Sequence, residues 1–216
     1  MSWTIEAVCT GAARPFNGAE LSAIAKRPRE GTVQVLEDGL APDEQADTRH
    51  HGGPDMALHL YPLDHHDDWA EVLGPHPLLP EPGCFGSNLA VRGLTEGMVH
   101  IGDRFRLGPT TTGALIEVSQ PRQPCWKIEH RFDRKGMVAR IIETGRCGWY
   151  FRVIEAGDVT AGDSLERVSI GATDWSVVRV FRALMAGKAT AAELAELAAL
   201  APLSLKLREK AAQKPR

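Results

Sequence analysis

The residues best suited to chemistry lie in the segment QPRQPCWKIEHRF, residues 120–132. Its one cysteine, Cys125, follows two prolines that stiffen the chain and stands among basic side chains, of which Arg122 and Lys127 are near neighbours. Neighbouring cations favour the thiolate, the form of cysteine that attacks electrophiles and binds metals. The pattern makes Cys125 a candidate nucleophile or metal ligand. The competing interpretation is a half-buried structural thiol among surface cations.

A second cluster has the sequence HHGGPDMALHLY. Gly52 and Gly53 allow the backbone to approach a ligand closely and to adopt positive φ values. His51, Asp55 and His59 would place hydrogen-bond donors and acceptors around that approach. The cluster is therefore a candidate ligand-binding loop followed by a strand.

Zinc is the obvious rival for this region, because His50, His51, His59, His65 and His66 lie close together in sequence. The sequence contains no H-E-x-x-H motif and no cysteine pair that would complete a structural zinc site. We therefore disfavour zinc. The last two histidines are expected to be solvated at the start of a helix.

A third cluster, GCFGSNL at residues 83–89, places two glycines around an aromatic residue. Asn88 enters a strand there and could direct its amide at a ligand, although a plain turn explains the pattern equally well. The sequence lacks a P-loop and a strand–G-x-G-x-x-G–helix unit, so nucleotide binding of the usual kinds is not expected, and it contains no G-x-S-x-G elbow.

The composition limits the class of protein. A net charge of −3 over 216 residues gives no global basic field for nucleic acid. No apolar run approaches the ~20 residues of a membrane span, and no secretory signal is visible. The four cysteines are far apart, which predicts a cytoplasmic protein with free thiols.

The elements that must position these residues are mostly short β-strands, separated by Gly and Pro and several with period-2 alternation. One internal helix is predicted over Asp64–Leu73, capped by Asp64 and stopped by Gly74. The predicted strands are Ile5–Cys9, Thr32–Leu36, Ala57–Tyr61, Asn88–Val91, Arg104–Leu107, Ala114–Ser119, Val138–Glu143, Tyr150–Glu155 and Ser164–Val168.

Two segments, residues 97–105 and 157–165, share the pattern G-x-V-x-x-G-D-x-(apolar). Each is typical of a strand end, a Gly-Asp turn and a following strand. Many short strands with such turns predict a β-barrel or sandwich. Coincidence among common turn residues is the alternative explanation for the repeat.

The pattern changes to helical after about residue 172. Thr173 or Asp174 could cap a first helix, Thr190 opens a capping box for a second, and Ser204 could cap a third that runs into a basic tail. We predict a mainly β domain over residues 1–172 and a small C-terminal three-helix module over residues 173–216, docked on the barrel or on a partner.

The three chemical clusters, in this order, resemble the MOSC domain family, the β-barrel domains related to the C-terminal part of molybdenum cofactor sulfurases. More narrowly they resemble the bacterial YiiM-type proteins of that family. The matching sequences are HGGPD…ALH-x-Y at 51–61, G-x-F-G-x-N-L at 83–89, IGDRFRLG at 101–108 and EVSQPRQPCWKIEHRF at 117–132. The resemblance implies a MOSC-type β-barrel with a few short helices and a C-terminal three-helix module.

The resemblance also implies a function. Family members bind molybdenum cofactor, and YiiM-type proteins reduce N-hydroxylated compounds such as hydroxylaminopurines with electrons from a separate flavoprotein reductase. On that pattern Cys125 is the molybdenum ligand and Arg122 binds anionic groups of the cofactor, with Lys127 as a second local cation. The implied pterin site is lined by His51, Gly52, Gly53, Asp55, His59 and Asn88. His59 is the candidate proton donor.

Two positions depart from the family pattern. Met56 stands where lysine is more common, and Ser87 stands where glutamate is more common. We interpret both as changes that tune cofactor affinity or substrate choice. Two other functions remain open: sulfur transfer through a Cys125 persulfide, and cofactor carriage without turnover. The sequence does not indicate the oligomeric state.

Overall fold

The computed structural model describes residues 1–46 and 52–213. Short β-strands dominate the first three quarters of the chain, and helices follow. The strands are β1 Ser2–Thr10, β2 Arg14–Asn17, β3 Glu20–Ser22, β4 Arg27–Pro28, β5 Val33–Leu36, β6 Gly39–Leu40, β7 Leu58–Pro62, β8 Leu89–Val91, β9 Arg104–Leu107, β10 Ala114–Pro121, β11 Trp149–Glu155, β12 Gly157–Val159 and β13 Ser164–Ser169.

Seven strands close into a barrel in the order β13-β9-β10-β11-β7-β8-β1, and β1 pairs with β13 to complete the ring. Strands β7 and β8 run parallel, whereas the other barrel pairs are antiparallel. Closure leaves these strands without open edges. The mainly β barrel predicted from the sequence is confirmed.

Smaller pairings surround the barrel. Strand β4 adds to β1, β2 pairs with β3, and β12-β5-β6 form a three-stranded sheet. The two-residue and three-residue strands among these carry too little periodicity to be predicted.

The repeated Gly-Asp turn occurs twice with the same geometry. The Asp103 carboxylate accepts a hydrogen bond from the His100 amide at 3.0 Å, and the Asp163 carboxylate accepts one from the Thr160 amide at 2.7 Å. Each turn leads into a barrel strand, β9 or β13, and these two strands pair with each other. The repeat is therefore structural rather than coincidental.

The helices are short. A 3-10 turn, Pro54–Met56, follows the glycine pair. The α-helices are α1 Asp64–Leu73, α2 Trp126–Arg131, α3 Met137–Thr144, α4 Val177–Leu184, α5 Ala191–Ala199 and α6 Leu205–Ala212. None of the helices in the described part of the chain has the length and apolarity needed to cross a bilayer.

One predicted strand, Val138–Glu143, was wrong, because this segment lies within α3. Met137 and Ile141 are buried four residues apart, which is helical rather than alternating spacing. Gly145 ends the helix with φ 76°, a left-handed conformation that glycine adopts without strain. The β-branched run favoured a strand, but the glycines at both ends bound a two-turn helix.

Helix α1 has the predicted bounds but not the predicted cap. Its N-cap is Leu63, and the Asp64 carboxylate instead accepts a hydrogen bond from the Gly93 amide at 2.9 Å. In the C-terminal segment the first cap is Ser176 rather than Thr173 or Asp174, because the Ser176 hydroxyl accepts from the Arg179 amide.

The second predicted cap of the C-terminal segment is confirmed, because the capping box at Thr190 is complete. Ser204 precedes the third helix as predicted, but its hydroxyl makes no cap hydrogen bond.

The C-terminal helices pack on the barrel. Val177, Phe181 and Leu207 belong to the same buried cluster as barrel residues such as Val118 and Phe151. The Ser204 amide donates a hydrogen bond to the Ser119 carbonyl at 3.0 Å, which ties the start of α6 to β10. The division into two units at residue 172 stays a prediction.

Candidate functional site

Cys125 lies at the end of the connection between β10 and α2. It is half-buried, has extended backbone angles (φ −135°, ψ 166°) and directly precedes α2. The Arg122 amide donates to the Gly148 carbonyl at 3.0 Å, which fixes the connection against the start of β11. The thiol is thus presented from a loop that two barrel strands hold in place.

Two cavities meet at this cysteine. The deep pocket encloses about 120 Å³. The helix-side pocket encloses about 380 Å³ and reaches the C-terminal helices. The two share Met56, Cys125, Lys127 and Tyr150. The deep pocket also includes Lys26, Asp43, Gly52, His59, Phe85, Gly86, Asn88 and Arg122.

The deep pocket brings together most of the residues that the sequence singled out. Asp55 and Gly53 are absent from its described lining. Ala46 and Gly52 both line it, and the predicted site residue His51 lies in the intervening segment, outside the described residues. The predicted site residues that do line the deep pocket are Gly52, His59, Asn88, Arg122, Cys125 and Lys127.

Arg122 places a buried guanidinium with unused hydrogen-bond donors in the lining of the deep pocket. It is 6% exposed, and its Nη1 atom is buried without a hydrogen-bond partner among the described residues. Its Nη2 reaches the Phe85 carbonyl only at 3.5 Å. A buried guanidinium with unused donors is costly unless a ligand completes it. An anionic ligand is the natural partner.

His59, which also lines the deep pocket, carries a second unused atom. Its Nδ1 donates to the Gly86 carbonyl at 3.2 Å, whereas its buried Nε2 has no partner in the described chain. Burial, and secondly the charge of Arg122, hold the pKa of His59 well below its usual value. The ring is therefore neutral at pH 7, with a lone pair on Nε2 that accepts a hydrogen bond.

Asn88 lines the deep pocket, but its amide is already engaged. Its oxygen accepts from the His59 amide at 3.1 Å, and its nitrogen donates to the Asp43 carboxylate at 2.8 Å and to the Cys9 carbonyl. These bonds hold strands β1, β7 and β8 in register beside the pocket. The structure gives Asn88 an architectural role at this site.

Sequence reasoning missed an ion pair in the deep pocket, Lys26–Asp43. Lys26 is 8% exposed, and burial lowers its pKa while Asp43 acts in the opposite direction. The backbone of Lys26 packs on Gly83, where a Cβ would come within 2.8 Å of the Lys26 carbonyl oxygen. Neither residue belongs to a recognisable motif, so only the fold reveals the pair.

The basic side chains that flank Cys125 in sequence contact different parts of the structure. The Lys127 ammonium forms an ion pair with Glu20 at 2.9 Å. Arg131 donates to the Cys84 carbonyl at 2.8 Å, and the His130 ring bonds the Phe16 carbonyl. Of the basic residues in this segment, only Arg122 and Lys127 line the deep pocket.

Asp55 serves a different network. Its carboxylate pairs with Arg152 at 2.7 Å, and Arg152 also binds Glu117 and the Pro202 carbonyl. The structure therefore places Asp55 between the barrel and the C-terminal helices. A lining role in the pterin site stays a prediction for this residue.

His65 and His66 are not solvated, contrary to the sequence-based expectation. Both are less than 8% exposed, because helix α1 packs this face onto the barrel. The His65 ring binds the Glu96 carboxylate at 2.9 Å, and Glu96 also accepts from the Gly148 amide at 2.7 Å. His65 thus supports the start of β11 through Glu96, whereas the His66 ring bonds the Leu79 carbonyl.

The remaining thiols differ from Cys125. Cys9, Cys84 and Cys147 are buried, and burial raises the pKa of Cys9 and of Cys84 to about 12. Burial also raises the pKa of Cys147. All four cysteines are free, as predicted, and Cys125 is the one that reaches a cavity rim.

The two departures from the family pattern lie in different environments. Met56 lines both pockets, so a lysine there would add a cation beside Cys125. Ser87 is fully buried, and its hydroxyl donates to the Pro82 carbonyl at 3.2 Å. The first change touches the site directly, whereas the second alters its support.

Several known proteins are similar in sequence to this chain. It is 45% identical over 163 residues to YflK of Bacillus subtilis, a match that spans 75% of this chain and 71% of that protein. It is 43% identical over 162 residues to YiiM of Escherichia coli, spanning 75% and 70%. A Gibberella moniliformis protein named reductase is 37% identical over 171 residues, which are 79% of this chain but 30% of that longer protein.

Solved structures share the fold. The crystal structure of YiiM from Geobacillus stearothermophilus superposes with a TM-score of 0.81 at 30% identity and covers 97% of each chain. A family model for the MOSC domain matches residues 47–166, which include the glycine pair, Asn88 and the Cys125 segment. The chain therefore belongs to the MOSC domain family and is of the YiiM type within it.

Proposed function

We propose that this protein binds molybdenum cofactor in the deep pocket and reduces N-hydroxylated compounds to amines. The observation that carries the proposal is that Arg122 and His59, each with a buried ring or guanidinium nitrogen without a partner in the described chain, line one pocket together with Cys125. Family membership adds support, because MOSC domains are associated with this cofactor.

The residues present fit the cofactor chemically. The Cys125 thiolate is a soft ligand suited to the metal. Arg122 offers unused donors for the anionic groups of the cofactor, and neutral His59 offers an acceptor for a pterin N–H. Lys26 and Asp43 can extend the polar lining. The bound cofactor supplies a metal centre able to take the oxygen of N–OH.

The overall reaction converts R–NHOH, two electrons and two protons into R–NH₂ and water. The chain contributes binding, orientation and a site shielded by the barrel wall. We propose a flavoprotein reductase as the source of electrons. Delivery of a proton by His59 stays a prediction; it requires the cofactor's negative charge to raise the pKa of the ring, because burial and Arg122 now lower it.

The activity test uses full-length protein expressed with molybdate in a cofactor-producing host. Reduction of 6-hydroxylaminopurine to adenine is followed with a chemically reduced dye as electron donor. We expect turnover in the wild type, its loss in Cys125→Ala, and its retention in the matched variant Cys9→Ala, because the Cys9 thiol is buried and lines neither pocket. Equal turnover in Cys125→Ala would exclude the thiol as a required ligand.

The same preparation separates the alternatives. Cofactor-loaded protein that reduces no hydroxylamine would indicate carriage. Added mass on Cys125 that reductant removes, in protein without metal, would indicate sulfur transfer through a persulfide. Either result would replace the reductase proposal.

A further inference from the structure

The helix-side pocket is built by two parts of the fold. The barrel side contributes Gln120, Gln123 and Trp126, and the C-terminal helical segment contributes Met185, Lys206 and Leu207. Cys125 and Tyr150 form the boundary with the deep pocket. A second cavity, lined partly by the C-terminal helical segment, therefore also reaches Cys125.

Two hydrogen bonds tie the helical wall of this pocket to the barrel strands β10 and β11. The Ser204 amide bonds the Ser119 carbonyl on β10, the strand that leads to the cysteine. Arg152 donates to the Pro202 carbonyl at 2.9 Å from β11. Helix α6 begins at Leu205, so these two bonds place Lys206 beside the pocket.

The pocket carries unbalanced positive charge. Glu20 pairs with Lys127, whereas Lys206, which lines the pocket, and Lys210, which is not part of its lining, form no ion pair among the described residues. The Lys210 ammonium contacts the Met185 sulfur at 3.4 Å, and burial together with the charge of Lys206 lowers the pKa of Lys210. An anionic group in the pocket would relieve this repulsion.

The rest of the lining suits a flat ring. The Trp126 side chain is 43% exposed, so its indole can cover an aromatic face. Gln120 and Gln123 add amide donors and acceptors. The volume of about 380 Å³ lies in the range of small-molecule sites.

We propose that the helix-side pocket is the substrate subsite, and that Lys206 selects N-hydroxylated aromatic compounds that carry an anionic substituent. The proposal rests on the proposed function for the reacting N–OH group. It assigns a role to the C-terminal helices, which complete the subsite rather than merely covering the barrel.

The kinetic test compares two matched substrates with the cofactor-loaded full chain: phenylhydroxylamine and 4-(hydroxyamino)benzoate. Lys206→Gln should raise KM for the carboxylate substrate about five- to tenfold while leaving the neutral one unchanged, which corresponds to losing one partly exposed charge contact. Lys188→Gln removes an exposed lysine from outside the pocket and should change neither. 4-(Hydroxyamino)phenyl phosphate tests phosphate as the anion.

A binding measurement keeps the two proposals distinguishable. The cofactor-free full chain is titrated with 4-aminobenzoate and with aniline, followed by the amide NMR signals of α6. We expect tighter binding of 4-aminobenzoate in the wild type and in Lys188→Gln but not in Lys206→Gln. This pattern without any reductase activity would sustain the subsite and reject the proposed function. No preference for the anion, or a preference that survives Lys206→Gln, would overturn the subsite.

Discussion

Burial separates the residues that can act on a ligand from those that support them. Cys125 is half-buried at the junction of two cavities, whereas Cys9, Cys84 and Cys147 are enclosed. The sequence predicted a functional role for Cys125 because prolines and basic residues surround it. It could not predict Lys26, whose position depends on a close backbone approach to a distant glycine.

Histidine burial predicts how stability depends on pH. Burial, as the main cause, lowers the pKa of both His59 and His66. The unfolded chain binds protons near pH 6.5, where these folded rings stay neutral, so stability is fully present above that pH and falls as the pH decreases below it. Each ring contributes up to about 1.4 kcal/mol per pH unit.

Urea unfolding between pH 7.5 and pH 5 measures this effect. His66→Asn should show a shallower loss of unfolding free energy than the wild type, because one of the two proton-binding differences is gone. His130→Asn alters an exposed ring and serves as the control. Identical slopes for the wild type and His66→Asn would contradict the assignment of a buried neutral ring.

At the scale of elements, the site depends on how strand ends meet. Most barrel strands were predictable from alternation, and the repeated Gly-Asp turns identified where β9 and β13 begin. Helix α3 was not predictable, because its β-branched residues favour a strand. Only the packing of Met137 and Ile141 shows the helical spacing. The meeting of β7 with β11 was also hidden, because it joins residues 59 and 150 that no local pattern connects.

Gly148 is a position beside the site where a side chain is poorly tolerated. Its φ is +68°, and a Cβ would lie 2.5 Å from the Leu60 carbonyl oxygen and 2.9 Å from His59 Nε2. Gly148→Ala should therefore lower the unfolding free energy by about 1–3 kcal/mol and displace His59. Gly97→Ala meets no atom within 4 Å and should leave stability nearly unchanged. Thermal and urea unfolding check both variants; comparable stability would refute the close packing.

At the scale of the whole molecule, one charged network joins the barrel to the C-terminal helices. Arg152 binds Asp55, Glu117 and the Pro202 carbonyl, so the 3-10 turn after the glycine pair, β10 and the loop before α6 share one guanidinium. The sequence predicted the helical segment and its capping box. It could not predict where the helices dock, because the bond from Arg152 to the Pro202 carbonyl joins residues 50 positions apart that no local pattern connects.

Arg152→Met should lower the unfolding free energy by about 2–3 kcal/mol, because it leaves the Glu117 and Asp55 carboxylates short of a partner. It should also speed amide hydrogen exchange in α6 while leaving α1 unaffected. Arg92→Met removes an exposed pair with Asp67 and should cost less than about 1 kcal/mol. Unchanged exchange in α6 would show that the network does not hold the helices.

The central claim is that the deep pocket holds molybdenum cofactor through Cys125 and Arg122. The most direct measurement is the metal and pterin content of full-length protein purified from a cofactor-producing host supplied with molybdate, compared with Cys125→Ala and Arg122→Gln. We predict both components in the wild type, loss of metal in Cys125→Ala, and loss of both in Arg122→Gln. Equal content in all three proteins, or neither component in any, would contradict the claim.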